Sequence, residues 1–196
     1  MKKILFAIFI LLIFNNFSYA DTITNLDDVF DIKENAFALY NTNHVDEAYS
    51  LLNMIDESAK DEEIYLILGN IENEKGKDKK AVENYKKAIG KNDKFYRAYY
   101  NLGLIYMEKR MPQKALESFQ HAYKLNKENP YILYNLGCAE LETENYSSAK
   151  RHFTKAIFLK NDEKDFYYNL AFANKKLNKT KETQKIIDFY NENFVK

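Results

Sequence analysis

Apolar and small residues recur along most of this chain at the spacing of amphipathic helices. Ala115, Phe119 and Ala122, for example, are four and three residues apart. This spacing puts them on one face of a helix, because an α-helix completes a turn every 3.6 residues. The chain has only 5 Gly and 2 Pro, too few for the turns of a hairpin-rich sheet. The pattern therefore predicts an all-α fold.

A second, longer period is superimposed on the helical one. Gly69, Gly103 and Gly137 are separated by 34 residues each. The same interval separates Ala81, Ala115 and Ala149; Ala88, Ala122 and Ala156; and Leu68, Leu102, Leu136 and Leu170. Because each interval contains two helix-length apolar stretches, it predicts one pair of helices.

These residue types, in this order and at this period, resemble the tetratricopeptide repeat, a helix-turn-helix unit of about 34 residues. The resemblance implies a right-handed α-solenoid of about five stacked units, whose core forms between neighbouring units. After a short segment at 21–28, the predicted units are 29–61, 62–95, 96–129, 130–163 and 164–196. The Gly of the first helix and the Ala of the second are expected to let the two helices cross closely.

The last unit departs from the pattern. Ala171 stands in the place of the Gly, and Thr183 and Tyr190 stand in the places of the two Ala residues. Its final helix carries an apolar stripe, which packs on the fourth unit or leaves an edge for a homo-oligomer. The stripe consists of Ile186, Ile187, Tyr190 and Phe194.

The N-terminus has the pattern of a cleavable secretory signal. Lys2 and Lys3 precede an apolar run at 4–14, and Ser18 and Ala20 suit a signal peptidase. The predicted signal peptide is 1–20, and an uncleaved anchor is the less favoured alternative because eleven apolar residues are short of the roughly 20 that span a bilayer. We expect export, with no membrane span after cleavage. The composition favours the bacterial periplasm, with an extracellular destination as the alternative.

Charge and motif searches favour no catalysis. Lys plus Arg and Asp plus Glu number 29 each, so the chain has no footprint of nucleic-acid binding. His44, His121 and His152 lack ligand spacing and are expected at the surface or in turns. We predict no metal, no cofactor and no enzyme. Asp61 begins a helix, where capping explains an acid, and Cys138 is a small buried hydrophobe or an intermolecular disulfide.

The resemblance implies that the first helices of successive units line a concave groove for a protein or peptide partner. Transferred column by column, the groove residues are Arg97, Tyr100, Asn101, Leu104 and Met107 in the third unit; Tyr131, Tyr134, Asn135, Cys138 and Leu141 in the fourth; and Tyr168, Asn169 and Phe172 in the fifth.

A Tyr-Asn pair recurs within this groove, at 100–101, 134–135 and 168–169. An Asn amide both donates and accepts hydrogen bonds, so such a ladder could hold the backbone of an extended ligand. The alternative is that the Asn residues stabilise the scaffold. A clamp for acidic tails is not predicted, because Lys33 is followed one turn later by Phe37, where that clamp has Asn.

Three functions fit these observations. The favoured one is an exported adaptor that binds a peptide or partner subunit in its groove during assembly of an envelope complex. A self-associating structural component, joined through the final helix or Cys138, is the second. A non-catalytic accessory subunit that positions an envelope enzyme is the third.

Overall fold

The computed structural model describes residues 25–195 and, at Leu26, the backbone alone. Within that range ten α-helices and one short 3-10 helix, Glu57–Ala59, follow one another, and no strand is found. The helices are α1 Leu26–Asn41, α2 Val45–Met54, α3 Glu62–Glu74, α4 Asp78–Lys91, α5 Tyr96–Glu108, α6 Pro112–Leu125, α7 Pro130–Glu142, α8 Tyr146–Leu159, α9 Lys164–Lys176 and α10 Thr180–Phe194. The predicted all-α solenoid is confirmed. The predicted signal peptide, 1–20, lies outside the described residues.

Side-chain caps and prolines mark where several helices begin. Asp61 precedes α3, and its carboxylate accepts a hydrogen bond from the N–H of Ile64 at 2.9 Å. Asn129 caps the first turn of α7 in the same way. Pro112 and Pro130 stand in the first turns of α6 and α7, where a helix needs no N–H donor. The capping role predicted for Asp61 is confirmed.

The turn inside each helix pair contains one residue with a left-handed backbone. These residues are Asn43, Gly76, Arg110, Glu144 and Asn178, with φ between 55° and 69°. Only glycine adopts this conformation freely, so in the other four turns the surrounding hydrogen bonds must hold it. From Gly76 onward these residues recur every 34 positions, so the turn geometry repeats with the sequence.

In each of the three middle helix pairs, an aromatic ring of the second helix fills the space left by the glycine that recurs every 34 residues. A Cβ placed on Gly103 would stand 2.6 Å from Cδ1 of Phe119, and one on Gly137 would stand 2.6 Å from Cε1 of Phe153. Both rings are completely buried. The sequence predicts that Gly and Ala let the two helices cross closely; in the structure the Gly packs against the aromatic ring of the second helix.

The last helix pair is packed less completely. Helix α10 has no buried residue. Of its apolar stripe, Ile186 packs against the core that contains Phe153 and Leu170. The Phe194 ring lies 5.4 Å from that of Tyr167 on α9, whereas Ile187 is exposed. The stripe therefore divides between a core contact and an exposed edge.

Candidate functional site

The first helices of successive pairs, α1, α3, α5, α7 and α9, form one surface of the solenoid, which we call the inner face. All thirteen predicted groove residues belong to α5, α7 or α9. Five are exposed, namely Arg97, Leu104, Tyr131, Tyr168 and Phe172. Eight are half-buried, namely Tyr100, Asn101, Met107, Tyr134, Asn135, Cys138, Leu141 and Asn169. Their role in binding stays a prediction.

The Tyr-Asn ladder joins each first helix to the next. Nδ2 of Asn135 donates to Oη of Tyr100 at 2.9 Å, and Nδ2 of Asn169 donates to Oη of Tyr134 at 2.9 Å. Nδ2 of Asn101 instead donates to Oδ1 of Asn70 at 2.8 Å. The amide donors therefore hold the scaffold together, which is the alternative that the sequence left open.

The tyrosines of the ladder differ in their surroundings. The ring of Tyr134 stacks on Phe166 of the next pair, with centroids 4.8 Å apart, and also contacts Phe153 at 5.8 Å. Burial raises the pKa of the Tyr134 hydroxyl. Tyr168, at the equivalent position of the fifth pair, is 64% exposed. Tyr134 is thus a packing residue, while Tyr168 is free to contact a ligand.

Cys138 is half-buried and packs against the cluster of Phe153 and Leu170. Burial raises the pKa of its thiol to about 12, against the opposing effect of the Tyr134 hydroxyl. A thiol reacts through its thiolate, and burial disfavours that form here. The packing supports a small hydrophobe rather than a disulfide partner.

Charged groups on the inner face are unevenly distributed. Lys33 on α1 lies 2.6 Å from the Asp61 carboxylate and 2.5 Å from that of Glu63. Burial lowers the pKa of Lys33, but the hydrogen bonds to both carboxylates outweigh it and the pKa is raised. Glu108 and Lys176, farther along, are exposed. Lys33 is therefore engaged with two acids of its own chain.

One of the three histidine predictions is wrong. His44 and His121 are exposed, as expected, but His152 is buried, and its Nδ1 lies 2.7 Å from Oε2 of Glu140. This polar contact joins α7 to α8 within the fourth unit. The sequence signal for a buried His152 was Glu140, because the repeat places Glu140 on the buried side of its helix beside Ala139.

Two searches of residues 25–195 gave no site of another kind. No group of three or more His, Cys, Asp or Glu side chains is placed to hold a metal ion there. No helix in this range is both long enough and apolar enough to cross a bilayer.

Sequence comparison identifies the repeats directly. Models of the tetratricopeptide repeat match residues 69–109, 96–129 and 130–163. The chain contains tetratricopeptide repeats. A comparison with curated proteins gave no match.

Solved structures of MamA share the fold. MamA AMB-1 superposes with a TM-score of 0.74 at 19% identity, covering 84% of this chain and 90% of that chain. A second MamA structure gives 0.74 at 20% identity, covering 85% and 92%. MamA from residue 41 to its end, from Desulfovibrio magneticus RS-1, gives 0.74 at 18% identity, covering 85% and 94%. At these identities the likeness concerns the tetratricopeptide-repeat fold.

Proposed function

We propose that this tetratricopeptide-repeat protein is an exported adaptor that binds a segment of a partner protein on its inner face during assembly of an envelope complex. The repeats and the solenoid support the adaptor role, because stacked units create a long surface for a peptide or helix. Export rests on the sequence pattern of residues 1–20, and the envelope role follows from export.

Exposed apolar side chains on the inner face carry this proposal. Leu104, Tyr131, Tyr168 and Phe172 are large, exposed and located on three successive first helices. Clustered exposed apolar residues mark interaction surfaces more often than isolated ones do. Tyr and Phe also supply much contact area for little loss of side-chain freedom.

The ladder suggests how a partner is held. The amide donors of Asn135 and Asn169 are already bonded to tyrosines, so they do not reach a ligand backbone without breaking the scaffold. Recognition then rests on apolar side chains inserted between Leu104, Tyr168 and Phe172. This favours a partner segment with apolar residues on one side.

Site-specific photocrosslinking tests the proposal. A photoreactive residue replaces Tyr168, which is exposed, rather than Tyr134, whose ring is part of the packing. The control position is Leu125, which is exposed at the end of the second helix α6. We expect one defined protein captured at 168 and not at 125, and lost when Leu104 and Phe172 are changed to Glu. The captured protein is then purified and its binding measured directly.

Equal capture at both positions, or capture unchanged by Leu104→Glu and Phe172→Glu, contradicts an inner-face site. Asn-to-Ala changes in the ladder are unsuitable controls, since they remove junction hydrogen bonds. Export is checked separately by N-terminal sequencing of the protein recovered from the periplasm, where we expect it to begin at Asp21.

Self-association is the second candidate. It is favoured by the exposure of Ile187 and Phe189 on α10, beside the half-buried end of the apolar stripe. Sedimentation equilibrium with and without reductant decides it. A concentration-dependent dimer that Ile187→Lys abolishes supports this function, and a strict monomer excludes it.

A further inference from the structure

Helix α8 differs from the other second helices, α2, α4, α6 and α10, in lacking acidic residues rather than in net charge, since α4 with five Lys, one Asp and one Glu also carries +3. Each of those contains at least one Asp or Glu, such as Glu117 in α6, whereas α8 contains none. Its basic residues are Lys150, Arg151 and Lys155. Although the whole chain has a formal net charge of 0, this helix is locally cationic.

The charges of Lys150, Arg151 and Lys155 are compensated little by acids of the chain, although Glu182 acts on Lys150. None of them forms an ion pair within the described range. Nζ of Lys155 lies 3.5 Å from Oη of Tyr123, which is a neutral group. The pKa of Lys150 is lowered by burial and by the ammonium of Lys179, against the opposite effect of Glu182. The α8 surface therefore holds positive charge that an anion would stabilise.

An unusually exposed aromatic side chain lies on the same side of the helix. Phe158 is 86% exposed, next to the exposed Leu159. The equivalent position one repeat earlier is Lys124. An open depression runs along this side, and its lining comes from α8 alone: Ser147, Lys150, Arg151, Thr154, Lys155 and Phe158. We call these six residues the α8 stripe.

We propose that the α8 stripe binds the surface of an anionic membrane. Lys150, Arg151 and Lys155 would contact lipid phosphates, and Phe158 would insert at the interface, where aromatic side chains are favoured. An acidic protein segment fits less well, because a single helix offers no second wall to enclose a peptide. A flat anionic surface needs none, and a protruding ring suits insertion.

This site is independent of the proposed function. The stripe lies on the opposite side of α8 from the buried Ala149, Phe153 and Ala156, and it shares no residue with the inner face. A partner captured at Tyr168 therefore leaves membrane binding untested, and vesicle binding leaves the inner face untested. The two proposals can fail separately.

Vesicle sedimentation of the full chain is the first test. Vesicles of phosphatidylcholine alone are compared with vesicles that also contain phosphatidylglycerol. Each basic residue near an anionic surface strengthens binding by about fivefold, so the triple change Lys150→Gln, Arg151→Gln and Lys155→Gln should weaken binding to anionic vesicles by roughly a hundredfold at low salt. Residues 1–20 are the same in every variant, so their contribution cancels in this comparison.

The matched control is the triple change Lys79→Gln, Lys80→Gln and Lys86→Gln on α4. It removes the same charge from exposed lysines of another second helix. We expect it to bind anionic vesicles nearly as well as the wild type. Equal loss in the two triple variants would mean that net charge alone drives binding, and this would overturn the proposal.

Fluorescence gives a second test, because the chain contains no Trp. Phe158→Trp introduces a single Trp, which is excited at a wavelength where the 16 Tyr absorb little. Lys124→Trp is the control one repeat earlier. We expect the emission of Trp at 158 to shift to shorter wavelength on anionic vesicles, and that at 124 to stay unchanged. No shift at 158 overturns the proposal. A shift with polyglutamate but not with vesicles overturns it in favour of an acidic protein segment.

Discussion

The junction between the first and second helix pairs and the junction between the fourth and fifth are held by different chemistry. At the first junction, Lys33 bridges Asp61 and Glu63, and Oη of Tyr40 donates to Glu74 at 2.5 Å. These charged contacts lie beside an apolar core that the two pairs share.

At the fourth junction aromatic stacking takes the place of the lysine bridge, and Glu163 accepts a hydrogen bond from Oη of Tyr131 at 2.9 Å. Phe166 is buried and stacks on Tyr134, and its ring also meets that of Tyr131 at 6.2 Å, edge to face. Asn169 adds its hydrogen bond to the Tyr134 hydroxyl. The same backbone repeat thus accepts either chemistry. Because ion pairs respond to pH and salt and aromatic stacking does not, the two ends of the solenoid should differ in their sensitivity to solution conditions.

The largest effect should come from the centre of the fourth junction. Phe166→Ala removes a ring that is 2% exposed, and such a change costs about 3–5 kcal/mol. Phe172→Ala on the same helix removes an exposed ring and should stay within about 0.5 kcal/mol. Urea unfolding measures both. Similar unfolding midpoints for the two variants would show that the stacking of Phe166 on Tyr134 does not stabilise the fourth junction.

A smaller effect should distinguish Tyr134, which accepts the hydrogen bond of Asn169, from Tyr168, the last tyrosine of the ladder. Tyr134→Phe removes the acceptor of the Asn169 amide and should cost about 1 kcal/mol. Tyr168→Phe should leave the unfolding free energy unchanged within about 0.5 kcal/mol, because the exposed hydroxyl loses only water. If Tyr168→Phe destabilises as much as Tyr134→Phe, the ladder is not what holds the junction.

The smallest effect should appear in acid and at the first junction only. Glu57, between α2 and α3, has its pKa lowered to about 2, first by the hydrogen bond from Lys87. A carboxyl with a depressed folded-state pKa stabilises the protein above its unfolded pKa of about 4.3, and this stabilisation is lost as pH falls toward about 2. Glu57 is exposed, so the loss should be about 0.5 kcal/mol.

Thermal unfolding between neutral and acidic pH measures this, with Lys87→Met as the comparison. The variant should lose less stability than the wild type over the same pH interval, because its Glu57 keeps only the Lys60 ammonium as a partner. An identical pH dependence in both proteins would show that this ion pair makes no contribution.

The repeat period predicted the helix pairs and their order, because a fixed interval between glycines can be maintained only by a fixed backbone unit. The burial of His152 was missed because the helical period of its own helix does not show its partner. The repeat period does place Glu140 on the buried side of the preceding helix, and that was the signal for a polar partner. The scaffold role of the Asn residues was left open for a similar reason. Tyr100 and Asn135 are 35 residues apart, one repeat plus one position, so a search at that offset would have paired them.

The ladder also has a mechanical consequence. On the inner face, α5, α7 and α9 are tied to one another by hydrogen bonds of 2.9 Å through Asn135 and Asn169. Between the second helices α6 and α8 the hydrogen bond from Lys155 to Tyr123 is longer, at 3.5 Å. A bending force on the solenoid should therefore separate the second helices more than the first helices, which the ladder keeps joined. The spacing of the inner-face residues would then change least during bending, while the spacing between α6 and α8 changes most.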